Sequence, residues 1–154
     1  MPGVALRIRD LRDSDVREVI RIDALRTGRR KSAYWRRVFG EFRRTGDGHV
    51  RVGLAAENGG PGLAGYLLGE VRAVEFGSGP CGWVFAVAVG PAHGRSGVAT
   101  ALLEEACRRF RRAEVTKVRT MVARTDVPFL SFFRARGFVG GPFVQLERGL
   151  EVPA

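Results

Sequence analysis

Cysteine, lysine, histidine and tyrosine each occur only twice in this 154-residue chain. Cys81 and Cys107 are too few and too scattered for a disulfide framework or a zinc site, so no metal site is expected. Long hydrophobic runs are also missing. The longest is the seven-residue stretch Trp83 to Val89, well short of the roughly 20 residues that a spanning helix needs. The opening residues MPGVALRIRD lack the apolar stretch of a signal peptide. A reducing, cytoplasmic setting and no membrane partner are the expectation. Acidic residues are scarce too. Sixteen stand against 26 cations, 24 of them Arg, which gives a net charge of +10. Such an excess can attract a polyanionic cofactor, an acidic substrate or nucleic acid. The Arg doublets at 29–30, 36–37, 43–44, 108–109 and 111–112 are spread along expected helices. They are not interleaved with exposed aromatics as in single-strand readers, so they read as solvated helix faces and nucleic acid is the weaker partner.

What is present is ordinary globular composition, 45% hydrophobic and 27% charged. The length suits a single domain, 1–154, with its own core. The richest stretch runs from Trp83 to Phe110. Seven apolar residues end at Gly90-Pro91, and a loop of small residues follows, Ala92, His93, Gly94, Arg95, Ser96 and Gly97. Then Val98, Leu102, Ala106 and Phe110 recur every fourth residue with Arg and Glu between them. This predicts a buried strand, a tight turn and an amphipathic helix. A helix start reached through glycines attracts anions, because its first amides lack helical partners and the dipole is positive there. Arg95 is out of place beside that dipole unless an anion sits with it.

Earlier in the chain, Leu6 to Arg9 alternates as a first strand. Asp13 is placed to cap a helix through Val16, Val19, Ile20 and Asp23 that Gly28 ends. Ser32 is placed to cap a second helix through Phe42. Val50–Ala56 and Leu63–Val74 read as strands joined by the Asn58–Gly62 connection, with Gly65 and Gly69 weakening the second. Beyond the central stretch, Val115–Arg124 reads as a strand. A last helix starts at Asp126 with Pro128 in its first turn and ends at Gly137. Phe143–Leu150 reads as a closing strand. The order βααβββαβαβ predicts an α/β (α+β) fold, a mixed sheet of about six to seven strands with four helices.

Neither the Walker loop nor the dinucleotide fingerprint fits glycines at 90, 94 and 97. The loop instead resembles motif A of the GNAT acyltransferases, Val-x-Pro-x-x-(Arg/Gln)-x-x-Gly-x-(Gly/Ala). Val89, Pro91, Gly97 and Ala99 match, and Gly94 replaces the usual Arg or Gln. Downstream, Asp126, Phe129, Phe132, Phe133, Gly137 and Phe138 keep the spacing of a second family signature, Asn-x-x-Ala-x-x-Phe-Tyr-x-x-x-Gly-Phe. The resemblance covers roughly residues 8–149.

The resemblance implies an N-acetyltransferase that moves an acetyl group from acetyl-CoA to a primary amine of a small molecule or protein by direct attack, releasing CoA. It implies a cleft between the fourth and fifth strands. The cofactor would be held by Val87, Ala88 and Val89, by Gly94, Arg95, Ser96 and Gly97, and by Val98, Ala99 and Thr100. Asp126, Phe129 and Phe133 would complete it. A backbone N–H near Ala88 or Val89 would meet the developing oxyanion. The family's proton-donating Tyr position is Phe133 here, so Tyr66, Tyr34 and Ser131 are alternative donors. Trp83 to Val89 holds no carboxylate, which leaves Glu70 on the third strand as a base acting directly or through water, ahead of Glu75. His93 reads as packing beside the loop. Arg26, Tyr34 and Trp35 lie where the family binds its acceptor. Two other readings stay open, a CoA-binding module with weak or no catalysis and a basic nucleic-acid-binding protein. A homodimer also stays open.

Overall fold

The computed structural model describes residues 5–72, 77–93 and 97–151. These fall into two compact units, 1–121 and 122–154.

The first unit holds one sheet. Its strands are β1 (Arg7–Asp10), β2 (Arg51–Glu57), β3 (Gly65–Arg72), β4 (Cys81–Val89) and β5 (Val118–Thr120), in that spatial order. All neighbours are antiparallel except β4 and β5, which are parallel. Helices α1 (Val16–Thr27) and α2 (Ser32–Phe42) separate β1 from β2, and α3 (Val98–Arg112) links β4 to β5. A parallel pair needs such a crossover because a hairpin cannot reverse the chain twice.

Each helix follows its apolar period. Val16, Val19, Ile20, Trp35, Val38 and Phe39 form one cluster with Ala55, Tyr66, Leu68 and Ala88 of the sheet. Gly28 ends α1 in the left-handed region (φ 74°), and its N–H bonds Ala24 O at 2.8 Å. Helix α3 covers the other face of the sheet. A Cβ built on Gly65 would lie 2.9 Å from Val98 Cγ1, and one on Gly82 would lie 2.7 Å from the Phe110 ring. The strand glycines therefore do more than weaken β3. They form the groove into which α3 sinks.

Two expected caps are corrected. Asp13 lies in a short 3-10 turn, Asp13–Asp15, and α1 starts after Asp15. Asp15 accepts the Arg12 N–H at 2.7 Å, so it, and not Asp13, holds the backbone at this corner. Ser32 is the first residue of α2, and Lys31 occupies the position before it. The fifth strand is shorter than expected, three residues in place of 115–124.

The second unit contains α4 (Val127–Ala135), capped by Asp126, whose Oδ1 accepts the Phe129 N–H at 3.3 Å. Gly137 follows with φ 88°. The closing strand at Phe143–Leu150 does not form, so the described strands number five and not six to seven. Val144, Leu146 and Leu150 are each more than three-quarters exposed. Apolar alternation is a local property, whereas a strand needs a neighbour, and the described part of this unit has none to offer.

Candidate functional site

The site is built around the far end of β4. The β3–β4 register runs from Gly65–Val89 to Leu68–Ala86, then resumes at Gly69–Val84, so Phe85 is one residue too many on β4. Such a bulge reverses which residues face which edge. Before it, Gly82 N–H reaches Lys117 O at 2.9 Å, and Val84 O accepts the Thr120 hydroxyl at 2.8 Å. These groups serve β5. Pairing with β5 ends at Val84–Thr120, the rung next to the bulge.

Beyond the bulge, Gly90 N–H donates to Ala64 O at 2.8 Å. Alternation from that bond makes Ala88 and Ala86 the residues tied to β3. Val87 and Val89 then turn their N–H and C=O groups toward the edge that β5 has left. Val87 O accepts the Arg26 guanidinium there at 3.0 Å. Of the expected backbone donors, Val89 thus faces the open edge, and Ala88 is committed to the ladder opposite Tyr66.

The chain leaves this edge through the turn Pro91–His93. Asn58 Nδ2 donates to His93 Nδ1 at 2.6 Å, which ties the turn to the β2–β3 connection. Gly94, Arg95 and Ser96 lie outside the described residues. Gly97 precedes α3 with φ 80° and open space around it. Its glycine is required by conformation. Ala101 N–H is bonded to Gly97 O at 3.0 Å. Val98, Ala99 and Thr100 therefore form the first turn, where helix geometry supplies amides with no acceptor inside the helix.

On the opposite face of the sheet, Tyr66 is 2% exposed and packs edge-on to Trp35, with ring centroids 5.6 Å apart. Burial pushes its phenol well above the usual value, the Asp23 charge adds to this, and Arg26 opposes it. Its hydroxyl donates to no described residue, and no described buried side-chain oxygen lacks a partner, so the hydroxyl reaches solvent. Trp35 Nε1 donates to Asp23 Oδ2 at 2.9 Å, and Lys31 Nζ lies 3.3 Å from the same oxygen. Tyr34 packs on Trp35 at 5.1 Å and carries the Arg37 guanidinium over its ring. Arg26, Tyr34, Trp35 and Tyr66 are thus brought together with Asp23.

Asp23 is the residue that sequence reasoning passed over. The signal was available. It stands on the stripe set by Val16, Val19 and Ile20, where an unneeded carboxylate would be costly.

Glu70 is not brought to this group. It lies opposite Trp83, within the stretch where β4 is paired with β5, and bonds Arg72 at 3.2 Å. It lies four positions beyond Tyr66, roughly 13 Å along β3. Glu75 lies outside the described residues. Within the second unit, Phe133 is buried and packs against Phe129, Phe132 and Phe138 at 5.0–6.0 Å. Asp126 serves as the cap of α4.

A mixed sheet whose one parallel pair parts at a bulge, with a crossover helix between the parted strands, defines an α/β class. The comparisons narrow it. Residues 14–138 match the Acetyltransferase (GNAT) family, and the chain belongs to that family. No curated protein matches the sequence. Solved structures share the fold. An aminoglycoside N-acetyltransferase in complex with CoA aligns with TM-score 0.78 at 16% identity, covering 97% of this chain and 98% of that one. A transcriptional regulator from Bacillus halodurans C-125 aligns with TM-score 0.77 at 15% identity, covering 95% and 100%. Glucosamine-6-phosphate N-acetyltransferase from Arabidopsis thaliana aligns with TM-score 0.73 at 20% identity, covering 96% and 99%. Among the described residues, no helix is long and apolar enough to cross a membrane.

Proposed function

We propose that this protein is an N-acetyltransferase that uses acetyl-CoA and acetylates a primary amine by direct attack. The observation that carries the reading is the strand edge at Val87 and Val89, turned outward by the bulge, with the first turn of α3 as the next helix in the chain after the Pro91–His93 turn. An extended amide-bearing arm can add to that edge as a strand would, and the helix start suits its pyrophosphate. The aminoglycoside and glucosamine-6-phosphate N-acetyltransferases that share the fold act on amines, and one is solved with CoA.

Acetyl-CoA supplies the activated acetyl group. The Val89 N–H faces the edge and is placed to meet the carbonyl oxygen as it gains charge. The acceptor nitrogen bonds to the carbonyl carbon as the carbon–sulfur bond breaks, and the amine loses one proton as the thiolate gains one. Tyr66 gives the thiolate its proton, and the proton released by the amine, passed through solvent water, restores the phenol. Burial keeps its phenol protonated, and its hydroxyl is not engaged by a described residue. Glu70 is held by Arg72 and is set aside as base.

Tyr66→Phe should lower kcat by about 10²-fold and leave acetyl-CoA affinity unchanged. Thiol release against a panel of amines, paired with calorimetry of acetyl-CoA, measures both. An unchanged kcat would remove Tyr66 from the mechanism. A second reading, CoA binding without efficient turnover, is favoured by Phe133, which has no hydroxyl and is buried among aromatics. Tight acetyl-CoA binding with no thiol release across the panel would select it.

A further inference from the structure

The cluster beneath the open edge carries a charge pattern that the transfer chemistry does not need. Asp23 is a carboxylate on the apolar face of α1, with a side chain only 10% exposed. Burying it is expensive, and a neutral acceptor would satisfy the Trp35 indole as well. Its two oxygens are treated differently. Oδ2 takes the Trp35 N–H and faces Lys31. Oδ1 accepts from no described residue, and since no described buried oxygen is without a partner, it reaches solvent. The Tyr66 hydroxyl does the same within electrostatic reach of Asp23. Two polar groups with unused capacity therefore lie within electrostatic reach of each other, with two cations beside them. Lys31 Nζ is 3.3 Å from Asp23 Oδ2, and Arg26, whose charge also reaches Tyr66, bonds Val87 O at the edge.

We propose that this cluster is a zwitterion site, and that the acceptor is a primary amine carrying a carboxylate or phosphate close to it. The amine docks on Asp23 Oδ1 as its ammonium and gives one proton to solvent before it attacks, and the anion is taken by Arg26 and Lys31. A carboxylate with cations beside it is the complement of such a molecule. A polycation would meet two cations and a single carboxylate already shared with Lys31. Trp35 fixes the carboxylate, so its position does not depend on the ligand. The inference rests on the acetyltransferase reading above and adds the class of acceptor.

The test compares amines that differ only in their anion, phenylalanine with phenylalaninamide and glucosamine 6-phosphate with glucosamine. Initial rates are followed by thiol release with acetyl-CoA held saturating. The anionic member of at least one pair should win by at least about tenfold in kcat/KM. Which pair does so distinguishes carboxylate from phosphate. Arg26→Gln, on an exposed residue, should erase that preference without changing the melting temperature. Asp23→Asn keeps an oxygen for the Trp35 bond and removes only the charge. It should raise the acceptor KM by about tenfold or more with acetyl-CoA affinity unchanged by calorimetry. Neutral members equal to or better than their anionic partners would overturn the proposal. So would acetyl-CoA binding with neither pair acetylated, or an Asp23→Asn enzyme with wild-type acceptor KM. Failure of acetyl-CoA to bind at all would instead reject the underlying acetyltransferase reading.

Discussion

Tyr66 combines two properties that are separately ordinary, deep burial and a hydroxyl with no acceptor among the described residues. Its phenol is raised by desolvation first and by Asp23 second. A tyrosine whose folded pKa lies above its unfolded value contributes stability that is intact below the unfolded pKa and is lost as pH rises through the folded one. Denaturant midpoints should therefore fall as pH passes about 10, and they should fall less in Tyr66→Phe. Equal slopes in the two proteins would show that the ring is not buried as described. Asp15 gives the opposite limb. Burial alone would raise its carboxyl, but two Arg9 N–H groups at 2.8 and 2.9 Å and the Arg12 amide hold it below the usual range. Its stabilisation is present above pH about 4 and lost as pH falls through the depressed value. Asp15→Asn should cost about 1–3 kcal/mol at neutral pH and flatten the acid limb of the stability curve. Urea titrations across that range measure both effects.

At the scale of elements, β4 carries the account, because one extra residue decides which amides are available. Val89→Pro removes an N–H that faces the open edge, which an edge can tolerate. Ala88→Pro removes one that bonds β3. The first variant should fold and lose acetyl-CoA affinity, and the second should be severely destabilised. Circular dichroism melts and calorimetry separate them. If both melt alike, the register is misassigned. The glycine groove makes a further prediction. Gly82→Val should drive a methyl into Phe110, costing about 1–3 kcal/mol or more, read from chemical denaturation. Much of this was legible in the sequence. The strand–turn–helix at Trp83 to Phe110, both N-terminal helices, the Gly28 stop and the Asp126 cap follow from local patterns. The bulge was not legible, because it exists only as a difference in register between two strands. The role of Gly65 and Gly82 was hidden for the same reason, since a close approach needs the partner helix in place. Phe143–Leu150 shows the converse, a local alternation that forms no strand among the described residues.

For the whole molecule, part of the charge of +10 is laced with acids. Arg9 pairs with Asp15 and Glu57, Arg51 with Asp47, and Arg109 with Glu105 and Asp10. Duplex DNA binding, read by anisotropy, should accordingly vanish near 0.15 M salt, as a purely electrostatic contact would (roughly an order of magnitude or more lost per few phosphates released). Family membership was legible from two spaced motifs in the sequence. Arg26, Tyr34 and Trp35 were grouped from the sequence, but Asp23 was not joined to them, because Asp23, Trp35 and Tyr66 come from three elements and meet only in the fold. The central claim is that the edge at Val87 and Val89 binds acetyl-CoA, and calorimetric titration of wild type and Val89→Pro tests it most directly. Saturable binding by the wild type, weakened at least about tenfold in a folded Val89→Pro protein, is the predicted result. No heat of binding from the wild type, or equal affinity in both, would contradict it.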